Sequence, residues 1–316
     1  MANHDILMVS AENPADLEQG EMDEQSFRRM AEERKRARPA GPSLFRQGRT
    51  IAGNPVAAAL DAPSAHPSAP LDLAPPRPER VWESVNPMVP DEALLARNGL
   101  FTNPAQNPAT AYFDLLRTRI LQPMQDRGWR RIVVTSPTHG CGKSLVAANL
   151  ALSLARRPNS RTLLLDLELR APRLARMFGL GDAGALREVL AGEQPFECHL
   201  RRIGRTLALG FNAAPVPDAA ELLHDPVTAD SLAAMMEGLD PQVALFDTPP
   251  ALVSDDVLAL APFVDAALLV IDATRTTAAE VRACEKIMDG QIPILGVVLN
   301  RAQDRDLSRY RYGRKG

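Results

Sequence analysis

The sequence predicts an α/β fold: a mostly parallel sheet with helices on both faces, preceded by a long disordered region. Three observations predict it. From Pro108 onward, apolar runs of strand length alternate with helical patterns, as in a parallel sheet covered on both sides. Within that region, Arg131 to Leu150 reads as strand, glycine loop and helix in immediate succession. Before it, prolines recur among Ala, Ser and Arg from Pro39 to Pro108, removing backbone donors and holding the preceding residues out of helix.

Three regions follow from this pattern: a Pro/Ala-rich segment over 1–107, a folded domain over 108–305 and a basic tail over 306–316. The first has one exception, a charged helical pattern at 22–38 with Phe27 and Met30 on one face. Val81-Trp82 forms an aromatic island that could dock against a partner. In the domain, Phe113, Leu116, Ile120 and Leu121 stand at helical spacing over 109–121. Strands are expected at 131–136, 161–166, 206–211, 243–247, 266–272 and 294–300. Helices are expected after the glycine loop and at 173–178, 186–190, 217–224, 228–237 and 278–288.

Composition narrows the function classes. The 316 residues are 45% hydrophobic and 24% charged, ordinary for a globular protein. A formal net charge of -3 gives no basic footprint for nucleic acid. Cys141, Cys198 and Cys284 lack metal-ligand or disulfide spacing, so a reducing cytoplasm is expected. The acidic N-terminal residues do not resemble a signal peptide. No apolar run approaches the roughly 20 residues needed to span a bilayer, so work at a membrane would require another chain.

The glycine loop Thr138-His139-Gly140-Cys141-Gly142-Lys143-Ser144-Leu145 turns backbone N–H groups and a helix N-terminus toward one point, which suits a polyphosphate. Lys143 would reach the β- and γ-phosphates and the Ser144 hydroxyl would sit on Mg²⁺. Pro137 stands where a strict phosphate-loop pattern has glycine. His139 is expected at the loop surface. Cys141 is either a small inert loop residue or, beside a helix N-terminus that favours thiolate, a point where oxidation would block ATP. Two strand ends carry carboxylates, Asp166 and Asp247, with Glu168 and Arg170 following Asp166 at alternate positions. A carboxylate emerging from a buried strand is costly unless paired or bound to metal, and these two beside Lys143 and Ser144 suit Mg²⁺-assisted phosphoryl transfer.

These motifs carry a resemblance. Thr135-Ser-Pro-Thr-His-Gly-Cys-Gly-Lys-Ser144 looks like the Walker A loop of the bacterial tyrosine autokinases (BY-kinases) of capsule and exopolysaccharide synthesis, the CpsD/CapB type within the MinD/ParA-like P-loop superfamily. Asp166-Leu-Glu-Leu-Arg170 resembles their Asp-x-Asp-x-Arg motif, and Phe246-Asp-Thr-Pro-Pro250 their Walker B strand end. Leu295-Gly-Val-Val-Leu-Asn300 is similar to their last-strand motif, and Phe113 to Arg119 to the helix before the domain. The resemblance implies transfer of the ATP γ-phosphoryl group to tail tyrosines, here Tyr310 and Tyr312, largely between neighbouring subunits. It further implies Lys143, Asp166, Glu168 and Asp247 as catalytic residues, with the loop, Arg170 and Asn300 contacting nucleotide. A homo-oligomer and a separate membrane-bound polysaccharide chain-length or export adaptor, recruiting the protein to the inner face of the plasma membrane, are also implied.

Two departures stand against that pattern. Glu168 projects one methylene further than the usual aspartate. The helix motif Glu-x-x-Arg-x-x-Arg aligns with Ala111, Asp114 and Arg117, so only its last arginine remains. Two other readings stay open. One is a MinD/ParA-type ATPase switch, although Thr138 replaces that class's signature lysine. The other is a non-catalytic nucleotide-binding regulator, which fits Glu168 and a tail with two tyrosines.

Overall fold

The computed structural model describes residues 7–9 (backbone), 77–103, 107, 109–158 and 160–302. The helical pattern at 22–38, Tyr310, Tyr312 and the rest of the tail lie outside the described residues. Among those described, a nine-stranded sheet runs in the order β1-β9-β8-β3-β7-β4-β6-β5-β2. Its strands are β1 (Leu7–Val9), β2 (Asn86–Met88), β3 (Arg131–Thr135), β4 (Thr162–Asp166), β5 (Arg201–Ile203), β6 (Leu207–Gly210), β7 (Val243–Asp247), β8 (Ala266–Asp272) and β9 (Ile294–Asn300). The central six, β9 to β6 in that order, are mutually parallel. Among the described strands, the antiparallel pairings join β1 to β9 and β5 to β6.

Strand residues alternate cleanly between two cores. Ile132, Val134, Leu164, Leu245 and Leu268 face one, packed with Phe113, Leu116 and Ile120 and with Val146, Leu150 and Leu154. Val133, Leu163, Leu165, Phe246 and Leu269 face the other, with Leu190, Leu232, Met235, Cys284 and Met288. Burial on both faces is why these strands read as unbroken apolar runs. The helices Ala109–Arg127 and Lys143–Ala155 cover the first face; Leu186–Leu190, Pro226–Leu239 and Ala278–Met288 cover the second.

The expected disorder up to residue 107 is corrected at 7–9, a strand paired with β9, and over 77–100. Pro78 opens a helix, Pro78–Ser84, at a position where proline lacks no needed donor. Val81, Trp82 and Val85 are buried in the second core, so the aromatic island docks within the chain. Arg161 holds it from outside, 2.6 Å from Glu79 and with its guanidinium 5.9 Å from the Trp82 ring centre. Pro87 lies in β2, the edge strand, where a missing ladder donor is tolerated. A second helix, Glu92–Arg97, is capped by the Asp91 carboxylate and buries Leu95. High proline content concealed one apolar turn and one N-cap. Trp82→Ala is expected to cost about 3–5 kcal/mol of stability, the range for emptying a large aromatic site. Urea denaturation measures this, and an unchanged midpoint would mean that this helix does not contribute to the fold.

Candidate active site

The sheet order puts the carboxyl ends of β8, β3, β7 and β4 side by side, and the candidate chemistry lies there, beyond the strand ends. Asp166 and Asp247 are register partners, the last residues of adjacent parallel strands. The loop after β3 enters the helix Lys143–Ala155 through Gly140 and Gly142, at φ +85° and +90°. A Cβ at 142 would collide with the Asn300 side-chain amide, which donates to the Cys141 carbonyl at 2.8 Å. The last strand thereby pins the loop, and only glycine permits so close an approach. A Cβ at 140 would meet nothing within 4 Å. Gly142→Ala should therefore weaken ATP binding at least about tenfold through displaced loop amides, and Gly140→Ala less. Nucleotide titration of both variants checks the order.

Lys143, Glu168, Asp247 and Asp166 converge. The Lys143 ammonium is 2.7 Å from Glu168 Oε2 and 3.8 Å from Asp247 Oδ1. Burial lowers the Lys143 pKa, but Asp247 and Glu168 outweigh it and raise the value overall. Asp166 is fully buried; it accepts from the backbone N–H groups of Glu168, Arg173 and Leu174 at 3.1–3.2 Å. Burial, reinforced by Asp247, nevertheless pushes its carboxyl up to about 8. Burial raises the Asp247 pKa as well, against the pull of Lys143. The Ser144 hydroxyl also favours its charge, yet neither Asp247 oxygen completes a hydrogen bond within the usual geometry. Two buried acceptors beside a hydroxyl, at the mouth of an amide-lined loop, fit a hard cation. Ser144 and Asp247 would hold Mg²⁺, with phosphate oxygens and water completing its shell.

The expected site residues divide clearly. Thr138, His139, Gly140, Cys141, Gly142, Lys143, Ser144 and Leu145 form the loop and the first helical turn, with His139 exposed. Cys141 is buried and its thiol donates to the Thr138 carbonyl at 3.3 Å, which accords with a packed loop residue. Asn300 supports the loop from behind. Arg170 is turned to Asp256, a fully buried carboxylate that its guanidinium grips at 3.0 and 3.1 Å. The sequence reading missed Asp256 and the N–H groups of Arg173 and Leu174. The pair Asp255-Asp256 just past Pro249-Pro250 was the available signal for the first; backbone donors leave none.

The helix before the domain uses its charges internally. Asp114 accepts from Ser153 at 2.6 Å and also pairs with Arg156, while Arg117 donates to the Ser153 carbonyl at 2.8 Å. Both motif positions are thus bound to the helix Lys143–Ala155.

The chain matches the ParA family, described as the NUBPL iron-transfer P-loop NTPase, over residues 129–305. EpsB of Ralstonia nicotianae is 33% identical over 210 residues, which are 66% of this chain and 27% of EpsB. The chain therefore spans about a quarter of that relative's length. The tyrosine-protein kinase YwqD of Bacillus subtilis is 27% identical over 220 residues, 69% of this chain and 92% of YwqD. The crystal structure of the VpsO kinase domain superposes with a TM-score of 0.55 at 30% identity, covering 63% of this chain and 98% of that one.

Proposed function

The chain belongs to the ParA family of P-loop NTPases, and from that premise we propose that it is an ATP-dependent protein-tyrosine autokinase acting on Tyr310 and Tyr312. The observation that carries this reading is the Asp166–Asp247 pair at adjacent strand ends beside Lys143. A carboxyl with its pKa near operating pH suits a general base, and one with unsatisfied oxygens suits a metal ligand. The similarity to YwqD and the VpsO kinase domain supports the same assignment.

ATP and a tyrosine are the substrates. The tyrosine oxygen attacks the γ-phosphorus, the bond to the bridging β–γ oxygen breaks, ADP leaves, and Asp166 takes the phenolic proton. Loop amides and Lys143 bind the phosphates, which requires Lys143 to leave Glu168. Mg²⁺, when bound at Ser144 and Asp247, supplies neutralisation of phosphate charge. The link to polysaccharide synthesis rests on the resemblance of the motif set to capsule kinases. Among the described residues no helix is long and apolar enough to cross a membrane. A cytoplasmic protein, recruited to the inner membrane face by an adaptor of chain-length control or export, accords with that. Self-association would have to use contacts other than Asp114 and Arg117.

A second reading is favoured by the 2.7 Å Lys143–Glu168 contact, which occupies the phosphate-binding lysine: a nucleotide-binding switch or regulator without phosphotransfer. Incubation with Mg-ATP separates the two. The kinase produces phosphotyrosine that is lost in Lys143→Met and in Tyr310→Phe/Tyr312→Phe. Phosphate release without phosphotyrosine identifies an ATPase switch, and ATP binding with neither product a silent regulator.

A further inference from the structure

Asp166 has a second neighbourhood, on the side of β4 that faces β6 and away from the phosphate-binding loop. Arg173 N–H donates to its carboxylate at 3.2 Å, and Asn212 Nδ2 to its backbone carbonyl at 3.1 Å. Both residues line a cleft of about 730 Å³, walled also by Leu94, Pro172, Arg176 and Leu180. Arg173 and Arg176 are exposed, and among the described residues neither forms an ion pair within 4 Å, although Arg173 acts at longer range to lower the Asp247 pKa. None of the described residues lining it is acidic. An open, partly apolar trough flanked by the Arg173 and Arg176 side chains therefore adjoins the groups that hydrogen-bond the buried Asp166. Such a surface attracts negative charge and disfavours positive charge along the same path.

We propose that this cleft is the docking groove for the acceptor polypeptide, and that it selects tyrosines flanked by acidic residues in a separate protein substrate. The inference rests on the kinase reading and extends it to a substrate class. It also sets this chain's own tail apart: Arg309, Arg311, Arg314 and Lys315 surround Tyr310 and Tyr312, and the acidic Asp304 and Asp306 stand further off. Arginine on arginine makes the tail a poor occupant of the groove. Self-phosphorylation then depends on the high local concentration of an attached segment, whereas the groove serves a free acidic partner.

The test uses the full chain with Mg-ATP and two synthetic peptides, one with a single tyrosine among glutamates, the other the sequence 304–316. The acidic peptide is expected to have the lower KM. Arg176→Glu, which leaves the Asp166 contacts of Arg173 in place, should raise that KM about three- to tenfold, with the change falling on KM rather than kcat. Arg176→Lys should restore it, and added salt should weaken the preference. Equal KM values, preference for the tail peptide, or an unchanged KM in Arg176→Glu would overturn the groove. Bound ATP with no phosphotyrosine on either peptide or on the chain would overturn the kinase reading, and the groove with it.

Discussion

Asp247→Asn is expected to raise the melting temperature of the nucleotide-free protein while abolishing phosphotyrosine formation. Asp247 is fully buried, its two oxygens complete no hydrogen bond within the usual geometry, the Lys143 ammonium at 3.8 Å balances its charge only in part, and it sits in register with Asp166. A buried acceptor without a hydrogen bond costs about 1–3 kcal/mol, more if charged, and each kcal/mol is about 2–4 °C in a domain of this size. A gain of several degrees follows, because the folded state holds this carboxylate for function rather than stability. The pH dependence should change with it. The Asp166 carboxyl is pushed up to about 8 by burial and by Asp247, against about 3.9 in an unfolded chain. The folded state keeps the proton across that interval, so this contribution is complete below about pH 4 and is lost as pH rises through about 8. The wild type should melt lower at pH 8 than at pH 6.5, and Asp247→Asn should flatten that slope. Calorimetry at both pH values measures both effects.

Lys143→Met is expected to lose stability and nucleotide binding together. Its ammonium lies within 4 Å of both Glu168 and Asp247, and it also lowers the Asp166 pKa. Breaking a buried charge cluster from the cationic side costs about 3–5 kcal/mol, since the carboxylates are left uncompensated. The double variant Lys143→Met/Asp247→Asn should recover part of that loss, a coupling that a double-mutant cycle reads directly. ATP affinity should stay low in both. A Lys143→Met protein as stable as wild type would show that the lysine does not balance these carboxylates.

The sheet was legible because its strands are buried on both faces and stand out as apolar runs ending in Asp166, Asp247 and Asn300. The glycine loop was legible for a similar reason: positive φ at residues 140 and 142 admits little else. The segment 77–100 was not, because its prolines outweigh the single turn that carries Val81, Trp82 and Val85. The three-residue strands β1, β2 and β5 are too short for a period to emerge. Within the site, Lys143, Ser144, Asp166 and Asp247 followed from residue type and position. The Arg170–Asp256 clamp joins residues 86 positions apart, and backbone donors to Asp166 have no side-chain signature. Glu168 stood out as a departure from the motif, and its extra reach is used to contact Lys143.

The central claim is that the γ-phosphoryl group of ATP leaves this site on a tyrosine. Mass-spectrometric mapping of the full chain after incubation with Mg-ATP tests it most directly. The account predicts phosphate on Tyr310 and Tyr312, absent in Lys143→Met and in Asp247→Asn. ATP binding and hydrolysis without phosphate on any tyrosine would contradict it.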